Sequence, residues 1–149
     1  MKWLDMPPVW LAAAVLLAWA QAHSLPMGLH FGGAWADFLG GLLVGAGFIL
    51  LALAITEMRR KRTTVIPHME AASLVTTGIF SRSRNPIYLG DALILLGLIL
   101  YWDAVLSLPL LPIFVWLIEK RFIIPEEDAL RRKFRADFAR YCQKTRRWV

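Results

Sequence analysis

Four long apolar stretches, separated by short or strongly polar segments, set the hydrophobic pattern of this chain. They cover residues 9–25, 37–55, 87–101 and 104–118. A helix needs about 20 mostly apolar residues to cross the hydrocarbon core of a bilayer. The third and fourth stretches are shorter than this and share a tight turn, which predicts a helical hairpin. The pattern therefore predicts an all-α integral membrane protein with about four transmembrane helices in a single domain, residues 1–149.

The first stretch has an alternative interpretation. Lys2, the apolar run of residues 9–20 and the Ala-Gln-Ala sequence at 20–22 together resemble a signal peptide with its small-residue cleavage site. Asp5 nearly cancels the positive charge before the run, and the rest of the chain has a multispanning pattern. We expect a retained helix, and mass spectrometry of the mature N terminus distinguishes the two possibilities.

Lysine and arginine are distributed unevenly among the segments between the stretches. Lys2 precedes the first stretch, six basic residues lie between the second and third, and ten follow the fourth, which accounts for all 17. Because cytoplasmic loops accumulate Lys and Arg, both termini and the connection at 57–86 are expected to be cytoplasmic. This topology suits a multi-pass protein of a bacterial inner membrane. The distribution of the basic residues explains the net charge of +6 by contact with a membrane surface. No nucleic-acid partner is therefore expected.

The composition supports a membrane protein and excludes some kinds of site. Hydrophobic residues make up 58% of the chain, which is too many for an ordinary soluble domain. The seven Trp fit a lipid–water boundary, where amphipathic rings collect. The single cysteine, Cys142, excludes an intrachain disulfide and a zinc site built on cysteine pairs. No metal is expected.

The connection at residues 57–86 begins with the basic cluster Arg-Arg-Lys-Arg at 59–62. Alone, this cluster is explained as an anchor against anionic headgroups, at about 1 kcal/mol per charge. The connection is long for a compact bundle, and long loops are usually functional or disordered. Its β-branched, glycine, proline and apolar residues are not the composition of a disordered segment. A functional loop is therefore predicted.

The segment after the fourth stretch predicts an amphipathic cytoplasmic helix over residues 126–142. Its apolar face consists of Leu130, Phe134, Phe138 and Tyr141, at helical spacing. Pro125 followed by acidic residues is typical of a helix start, because acids complement the helix dipole. The glutamates at 126 and 127 are thus explained either by the dipole or by a functional site.

Three motifs occur in order in these two cytoplasmic segments. They are Leu74-Val75-Thr76-x-Gly78-x-Phe80, then Arg84-Asn85-Pro86-x-Tyr88-x-Gly90, then Glu126-Glu127-x-x-Leu130-x-x-x-Phe134, followed by Tyr141 and Arg147. Their order and spacing resemble the isoprenylcysteine carboxyl methyltransferase family, which in turn is similar to the phospholipid methyltransferases. The resemblance extends over residues 59–148.

The resemblance implies a membrane-embedded methyltransferase that uses S-adenosyl-L-methionine without a Rossmann domain. The chain has no Gly-x-Gly-x-x-Gly run after a strand, in agreement with this. The implied acceptor is a hydrophobic small molecule, a lipid or a lipidated substrate, methylated on a carboxylate, thiol or amine at the boundary between membrane and cytosol. The chain does not identify which of these it is.

Ten motif residues are expected, by their positions in the resemblance, to bind the cofactor. They are Leu74, Val75, Gly78, Phe80, Arg84, Asn85, Pro86, Tyr88, Glu126 and Glu127. Arg84, Arg121 and Glu126 are the expected catalytic residues. Either arginine would pair with an anionic carboxylate in a bidentate fork, and the glutamates would bind amine or ribose hydroxyl groups of the cofactor.

The chain departs from the family pattern in several places. The family usually has His where Asn85 stands, often His where Ala72 stands, Tyr where Phe80 stands, and Gly where Arg135 stands. An asparagine amide forms hydrogen bonds but does not titrate near neutral pH. A histidine general base at position 85 is therefore excluded, whereas cofactor binding is not.

Two further ionisable residues lie outside the motifs. Asp91 falls within the third stretch, and acids inside a membrane are functional by default. Helix capping or a pair with Arg84 explains it equally well. His68 lies in a polar loop with a proline, where a solvated histidine is the simpler explanation than a ligand or base.

Two other functions remain open from the sequence. One is an NADPH-dependent membrane reductase of related helical fold, and the other is a non-catalytic membrane scaffold. Binding of S-adenosylhomocysteine or of NADPH separates the two enzymes. Loss of function on substitution of Tyr88 or Glu126 separates the methyltransferase from the scaffold.

Overall fold

The computed structural model describes residues 4–25, 28, 31–63 and 73–149. All regular secondary structure among these residues is helical, which confirms the predicted all-α class. Lys2, His68 and the middle of the long connection, residues 64–72, lie outside the described residues.

The first three predicted stretches coincide, to within one residue at the end of the first, with parts of three long helices. These are α1 at Pro7–Ser24, α2 at Ala34–Arg60 and α3 at Pro86–Tyr101. The helices α1 and α3 begin at a proline, whose fixed φ and missing N–H suit a first helical turn. The helix α2 extends for about 40 Å, and in the described part of the chain it alone is both long and apolar enough to cross a membrane. Four spans therefore remain a prediction.

The fourth stretch becomes helical later than predicted. After a 3₁₀ turn at Val105–Ser107, the helix α4 begins at Leu110 and runs to Ile118. Pro109 directly precedes it and Pro112 lies in its first turn, where an absent N–H leaves no intrahelical hydrogen bond unmade. The prolines therefore move the helix start from residue 104 to residue 110.

The C-terminal helix differs from the prediction at its start and in its middle. The helix α4 continues through a π-helical turn, Glu119–Ile123, directly into α5 at Ile124–Phe134. Pro125 therefore lies within a continuous helical segment, and the wider π turn before it accommodates the missing N–H. The predicted helix over 126–142 is then divided at Arg135, where φ is 45° and ψ is −112°. A separate helix, α6, follows at Ala136–Lys144.

The helices α2 and α3 approach each other most closely at two pairs of glycines. A Cβ on Gly40 would lie 2.5 Å from the Gly97 carbonyl oxygen, and one on Gly47 would lie 2.6 Å from that of Gly90. Such distances leave no room for a side chain. The small residues therefore let the two backbones touch, as is common between membrane helices.

A second packing layer joins α1, α3 and the α4–α5 segment around a buried apolar core. The core consists of Ala14, Ala18, Tyr88, Leu95, Ile99, Ala104, Phe114, Ile118, Phe122 and Ile123. Many large apolar side chains point outward instead, among them Leu16 on α1, Phe38 and Phe48 on α2, and Trp116 on α4. An apolar exterior of this extent indicates an interaction surface such as a membrane.

Candidate functional site

Tyr88 and Glu126 join the second and third motifs directly. The Tyr88 hydroxyl donates a hydrogen bond of 2.6 Å to Glu126 Oε1. Tyr88 is buried in the first turn of α3, and the ring of Phe122, in the π turn, lies 6.4 Å from its ring. Glu126 is in the first turn of α5. The start of α3 and the start of α5 therefore meet with a phenol and a carboxylate in contact.

Glu127 lies beside this contact and is held by two arginines. Arg147 approaches it in a bidentate fork, with Nε 3.0 Å from Oε2 and Nη2 2.7 Å from Oε1. Arg84 Nη1 lies 3.5 Å from Oε2 of the same carboxylate. The Glu127 side chain is only 10% exposed, so the carboxylate has lost most of its contact with water. The two guanidinium groups offset the free-energy cost of this burial.

A second carboxylate extends the network toward α4. Arg147 Nη1 donates to Glu119 Oε1 at 2.9 Å, and Trp148 Nε1 donates to the same oxygen at 3.3 Å. The hydrogen bond from Arg147 lowers the pKa of Glu119 below its ordinary value, against a smaller opposing effect of burial. The same network raises the pKa of Arg147, chiefly through its hydrogen bonds to Glu127. The contact between Arg147 and Glu119 therefore favours the charged form of both. We call the set of Arg84, Tyr88, Glu119, Glu126, Glu127 and Arg147 the charged cluster.

Hydrogen bonds to backbone carbonyls hold the C-terminal part of the chain against the first and second motifs. The Arg84 N–H donates to the Arg146 carbonyl at 3.0 Å, and Asn85 Nδ2 donates to the Arg147 carbonyl at 3.0 Å. The hydroxyl of Tyr141 donates to the Phe80 carbonyl at 2.7 Å, and burial raises the pKa of this hydroxyl. The amide at position 85 thus orients the chain's C-terminal segment.

Arg84 keeps unused hydrogen-bonding capacity at the centre of the cluster. Its Nη1 atom contacts Glu127 and also Cys142 Sγ, at 2.7 Å. Its Nε atom is buried and has no hydrogen-bond partner in the described part of the chain. A buried N–H without an acceptor costs about 1–3 kcal/mol, so this atom indicates a missing acceptor at the site.

Three residues of the first motif pack against α2 rather than against Tyr88. Val75 and Phe80 form a small core with Ala54. Gly78, at φ 62°, approaches Glu57 so closely that a Cβ would lie 2.7 Å from Glu57 Oε2. The first motif therefore supports the site from the α2 side.

Leu74 faces a groove of about 800 Å³ next to the cluster. The groove is lined on one side by residues of the 73–81 segment and on the other by residues at the end of α5 and in and just after α6. Its lining residues are Ser73, Leu74, Thr76, Ser81, Phe134, Asp137, Arg140, Tyr141, Lys144 and Thr145. Of the ten residues expected to bind the cofactor, Leu74 alone lines this groove.

Arg121, one of the three expected catalytic residues, lies apart from the cluster. Its Nη2 and Nε atoms are 2.7 and 3.0 Å from Asp5 Oδ1, and its guanidinium lies 5.3 Å from the ring centre of Trp10. The structure therefore uses Arg121 to tie the π turn to the segment before α1. The other two expected catalytic residues do belong to the cluster. Arg84 contacts Glu127, and Glu126 accepts a hydrogen bond from Tyr88.

Sequence reasoning missed several residues in and around the cluster. Arg147 belongs to the motif series but was not expected to contact Glu127, and no signal singled out Glu119. Cys142 contacts Arg84, and a single cysteine in the sequence gave no signal for this contact. Glu57 is buried and accepts a hydrogen bond of 2.5 Å from Thr77 Oγ1. Its position at the end of a long apolar run was the available signal.

Comparison with known proteins identifies a family. A family model described as phospholipid methyltransferase matches residues 35–137, which include all three motifs. Searches among curated proteins and among solved structures gave no match.

Proposed function

Because this chain belongs to the phospholipid methyltransferase family, we propose that it transfers a methyl group from S-adenosyl-L-methionine to a hydrophobic or lipid-like acceptor at the membrane–cytosol boundary. The observation that carries the proposal is the meeting of the second and third motifs in one charged cluster, at the hydrogen bond between Tyr88 and Glu126. The donor supplies an electrophilic methyl group on a positively charged sulfur.

The residues of the cluster fit this cofactor chemically. S-adenosyl-L-methionine carries a carboxylate, an ammonium and ribose hydroxyls. The unpartnered Nε of Arg84 matches the carboxylate, because a guanidinium presents several N–H donors to a planar anion. The carboxylates of Glu126 and Glu127 match the ammonium and hydroxyls, because each carboxylate has about four acceptor sites.

Each residue then has a specific part in binding. Arg84 orients the amino-acid end of the cofactor, and Glu127 and Arg147 keep Arg84 in place. Glu126, fixed by the Tyr88 hydroxyl, accepts hydrogen bonds from the cofactor's N–H or O–H groups. The apolar side chains around Tyr88, such as Phe122, exclude water, which favours displacement at a sulfonium because the nucleophile stays unsolvated and close.

We further propose that four helical segments cross the membrane, with both termini and the motif-bearing segments cytoplasmic. The outward apolar side chains of α1, α2 and α4 and the placement of all 17 basic residues support this topology. In this topology the water-soluble cofactor enters the site from the cytosol, and the hydrophobic acceptor enters it from the bilayer. In a Cys142→Ser background, Leu25→Cys should react with an impermeant maleimide from outside the cell, and Lys144→Cys only after lysis.

Isothermal titration of the detergent-purified protein with S-adenosylhomocysteine tests the proposed function. The wild type should bind, and Tyr88→Phe should bind about tenfold to a hundredfold more weakly, because a hydrogen bond to a charged group contributes about 1.5–3 kcal/mol. Glu127→Gln should also weaken binding. Asp128→Asn, which changes an adjacent but half-exposed acid of the same helix, should not.

Two results would contradict the proposal. One is binding of NADPH without binding of S-adenosylhomocysteine, which would favour a reductase. The other is equal affinity for S-adenosylhomocysteine in the wild type, Tyr88→Phe and Glu127→Gln. In the positive case, incubation of membranes with radiolabelled methyl donor and separation into ester, lipid and protein fractions identifies the acceptor.

A further inference from the structure

The groove between the 73–81 segment and α6 is separate from the charged cluster. No member of that cluster lines the groove, and of the residues expected to bind the cofactor only Leu74 does. The groove has a volume of about 800 Å³, and small-molecule pockets usually measure about 300–1,000 Å³. It therefore has room for a ligand of its own.

The positive charge of the chain is concentrated beside this groove. Residues 1–127 contain nine basic and nine acidic residues, whereas residues 128–149 contain eight basic and two acidic ones. The C-terminal segment therefore accounts for the entire net charge of +6. Of its residues, Arg140 and Lys144 line the groove, as does Asp137, which pairs with Arg140. The lining thus has more positive than negative charge, which favours an anionic ligand.

Three hydroxyl groups of the lining donate their protons to backbone carbonyls. Ser73 Oγ donates to the Lys61 carbonyl at 2.7 Å, and Ser81 Oγ donates to the Gly78 carbonyl at 2.7 Å. Thr145 Oγ1 donates to the Ser81 carbonyl at 3.3 Å. A hydroxyl has one proton and two lone pairs, so these oxygens are left to accept hydrogen bonds. The groove therefore offers cations to an anion and acceptors to O–H groups of the same ligand.

One end of the groove lies beside the end of α2. The hydrogen bond from Ser73 reaches Lys61, which directly follows the last residue of α2. In the proposed topology α2 crosses the membrane, so this end of the groove lies near the level of the lipid headgroups. Leu74 and Phe134 add apolar surface to the lining.

We propose that this groove binds an anionic phospholipid whose headgroup carries hydroxyls, such as phosphatidylglycerol. Lys144 and Arg140 pair with the phosphate, and the lining hydroxyl oxygens accept hydrogen bonds from the headgroup. Leu74 and Phe134 contact the beginning of an acyl chain. Phosphatidylglycerol has no amine, carboxylate or thiol, so this lipid is distinct from the methyl acceptor. The inference rests on the proposed topology and not on methyl transfer.

Isothermal titration of the detergent-purified full chain with dioctanoyl phosphatidylglycerol, below its micellar concentration, tests the proposal. The wild type should bind this lipid about tenfold or more tightly than dioctanoyl phosphatidylcholine, whose headgroup has no net charge. Glycerol 1-phosphate, which has no acyl chains, should also bind more weakly. Dioctanoyl phosphatidylmethanol has the same charge but no headgroup hydroxyls, and should bind about fivefold more weakly than phosphatidylglycerol.

Two variants should change the affinity for phosphatidylglycerol in opposite directions. Lys144→Gln removes a lining cation and should weaken binding about fivefold. Asp137→Asn removes the lining acid and frees Arg140, so it should strengthen binding about fivefold. A gain of affinity does not result from partial unfolding, which keeps the test decisive where Lys144→Gln folds poorly.

Each variant has a matched control that changes the same charge outside the groove. Arg132→Gln removes an exposed cation of α5. Asp128→Asn removes an exposed acid that pairs with Arg131, three residues further along its helix. Neither Arg132 nor Asp128 lines the groove, so both controls should bind phosphatidylglycerol as the wild type does.

Several results would overturn the inference. Among the ligands, these are no binding of phosphatidylglycerol, or binding of phosphatidylcholine, phosphatidylmethanol or glycerol 1-phosphate that is as tight. Among the variants, they are equal changes in a variant and its control, which would indicate diffuse surface charge, or no gain of affinity in Asp137→Asn. Maleimide labelling of Leu25→Cys and Lys144→Cys tests the topology separately. Failure of lipid binding together with the expected labelling would therefore refute this inference alone.

Discussion

Replacement of Arg147 by methionine removes the cation that connects two carboxylates of the site. Arg147 donates three hydrogen bonds, two to Glu127 and one to Glu119. Methionine keeps the apolar length of the side chain and loses all three. The Arg84 N–H and the Asn85 side-chain amide donate to backbone carbonyls of the C-terminal segment. These hydrogen bonds do not depend on the Arg147 side chain and should persist.

The expected loss of stability follows from the exposure of the three groups. Breaking a fully buried ion pair costs about 3–5 kcal/mol. The Arg147 side chain is 33% exposed and Glu119 is 26% exposed, so water replaces part of the lost interaction. Arg84 also remains 3.5 Å from Glu127. We therefore expect Arg147→Met to lower the free energy of unfolding by about 2 kcal/mol.

The loss should depend on pH in a defined direction. Arg147 lowers the pKa of Glu119 from its ordinary value of 4.5, so its contribution to stability is complete above that pH. The contribution disappears as the pH falls through the lowered pKa, when Glu119 is protonated in both states. The difference between wild type and Arg147→Met should be constant from about pH 6 to 8 and shrink below about pH 4.

Reversible unfolding in mixed micelles, followed by tryptophan fluorescence, measures this difference. Arg140→Met is the control, because the pair between Arg140 and Asp137 is exposed on both sides and contributes less than about 1 kcal/mol. Equal losses in the two variants, or a loss for Arg147→Met that stays the same at acid pH, would refute the reasoning.

Three further changes test other features of the fold. Arg135→Gly should raise the unfolding free energy by about 1 kcal/mol, because φ near +45° favours glycine; a lower melting temperature would contradict this. Gly47→Ala should lower the free energy of unfolding by about 1–3 kcal/mol, because the new Cβ meets the Gly90 carbonyl and Ile94. Gly41→Ala has open space around it and should be neutral or stabilising in the same unfolding assay. Arg121→Ala should leave the Kd for S-adenosylhomocysteine unchanged in a titration, because its partners are Asp5 and Trp10; a large loss of affinity would place it in the site.

The sequence alone determined the helical class and the family of the chain. Apolar runs without alternation exclude half-buried strands, and the three motifs carry enough fixed positions to indicate a family. Glycines at 40 and 47 in α2, and at 90 and 97 in α3, were visible as well. That they face one another across a helix pair was not visible, because a repeat of seven residues identifies a face but not its partner.

Local breaks in the helices were only partly predictable. Pro109 and Pro112 were evident in the sequence, but they shift a helix start by an amount that depends on the preceding turn. Arg135 has no intrinsic preference for positive φ. The turn between α5 and α6 forms there because the apolar face of α6, with Phe138 and Tyr141 buried, must return to pack against the first motif.

Tertiary structure alone decided which charges meet. Charge and position in the sequence do not show which acid each of Arg84, Arg121 and Arg147 contacts, since each is a cation near the predicted cytoplasmic face. The folded chain pairs Arg147 with Glu127 and Arg121 with Asp5. The reason is physical: an ion pair depends on a separation of a few ångströms, and only the placement of whole helices fixes such distances. Hydrophobic periodicity fixes no more than the face that each helix buries.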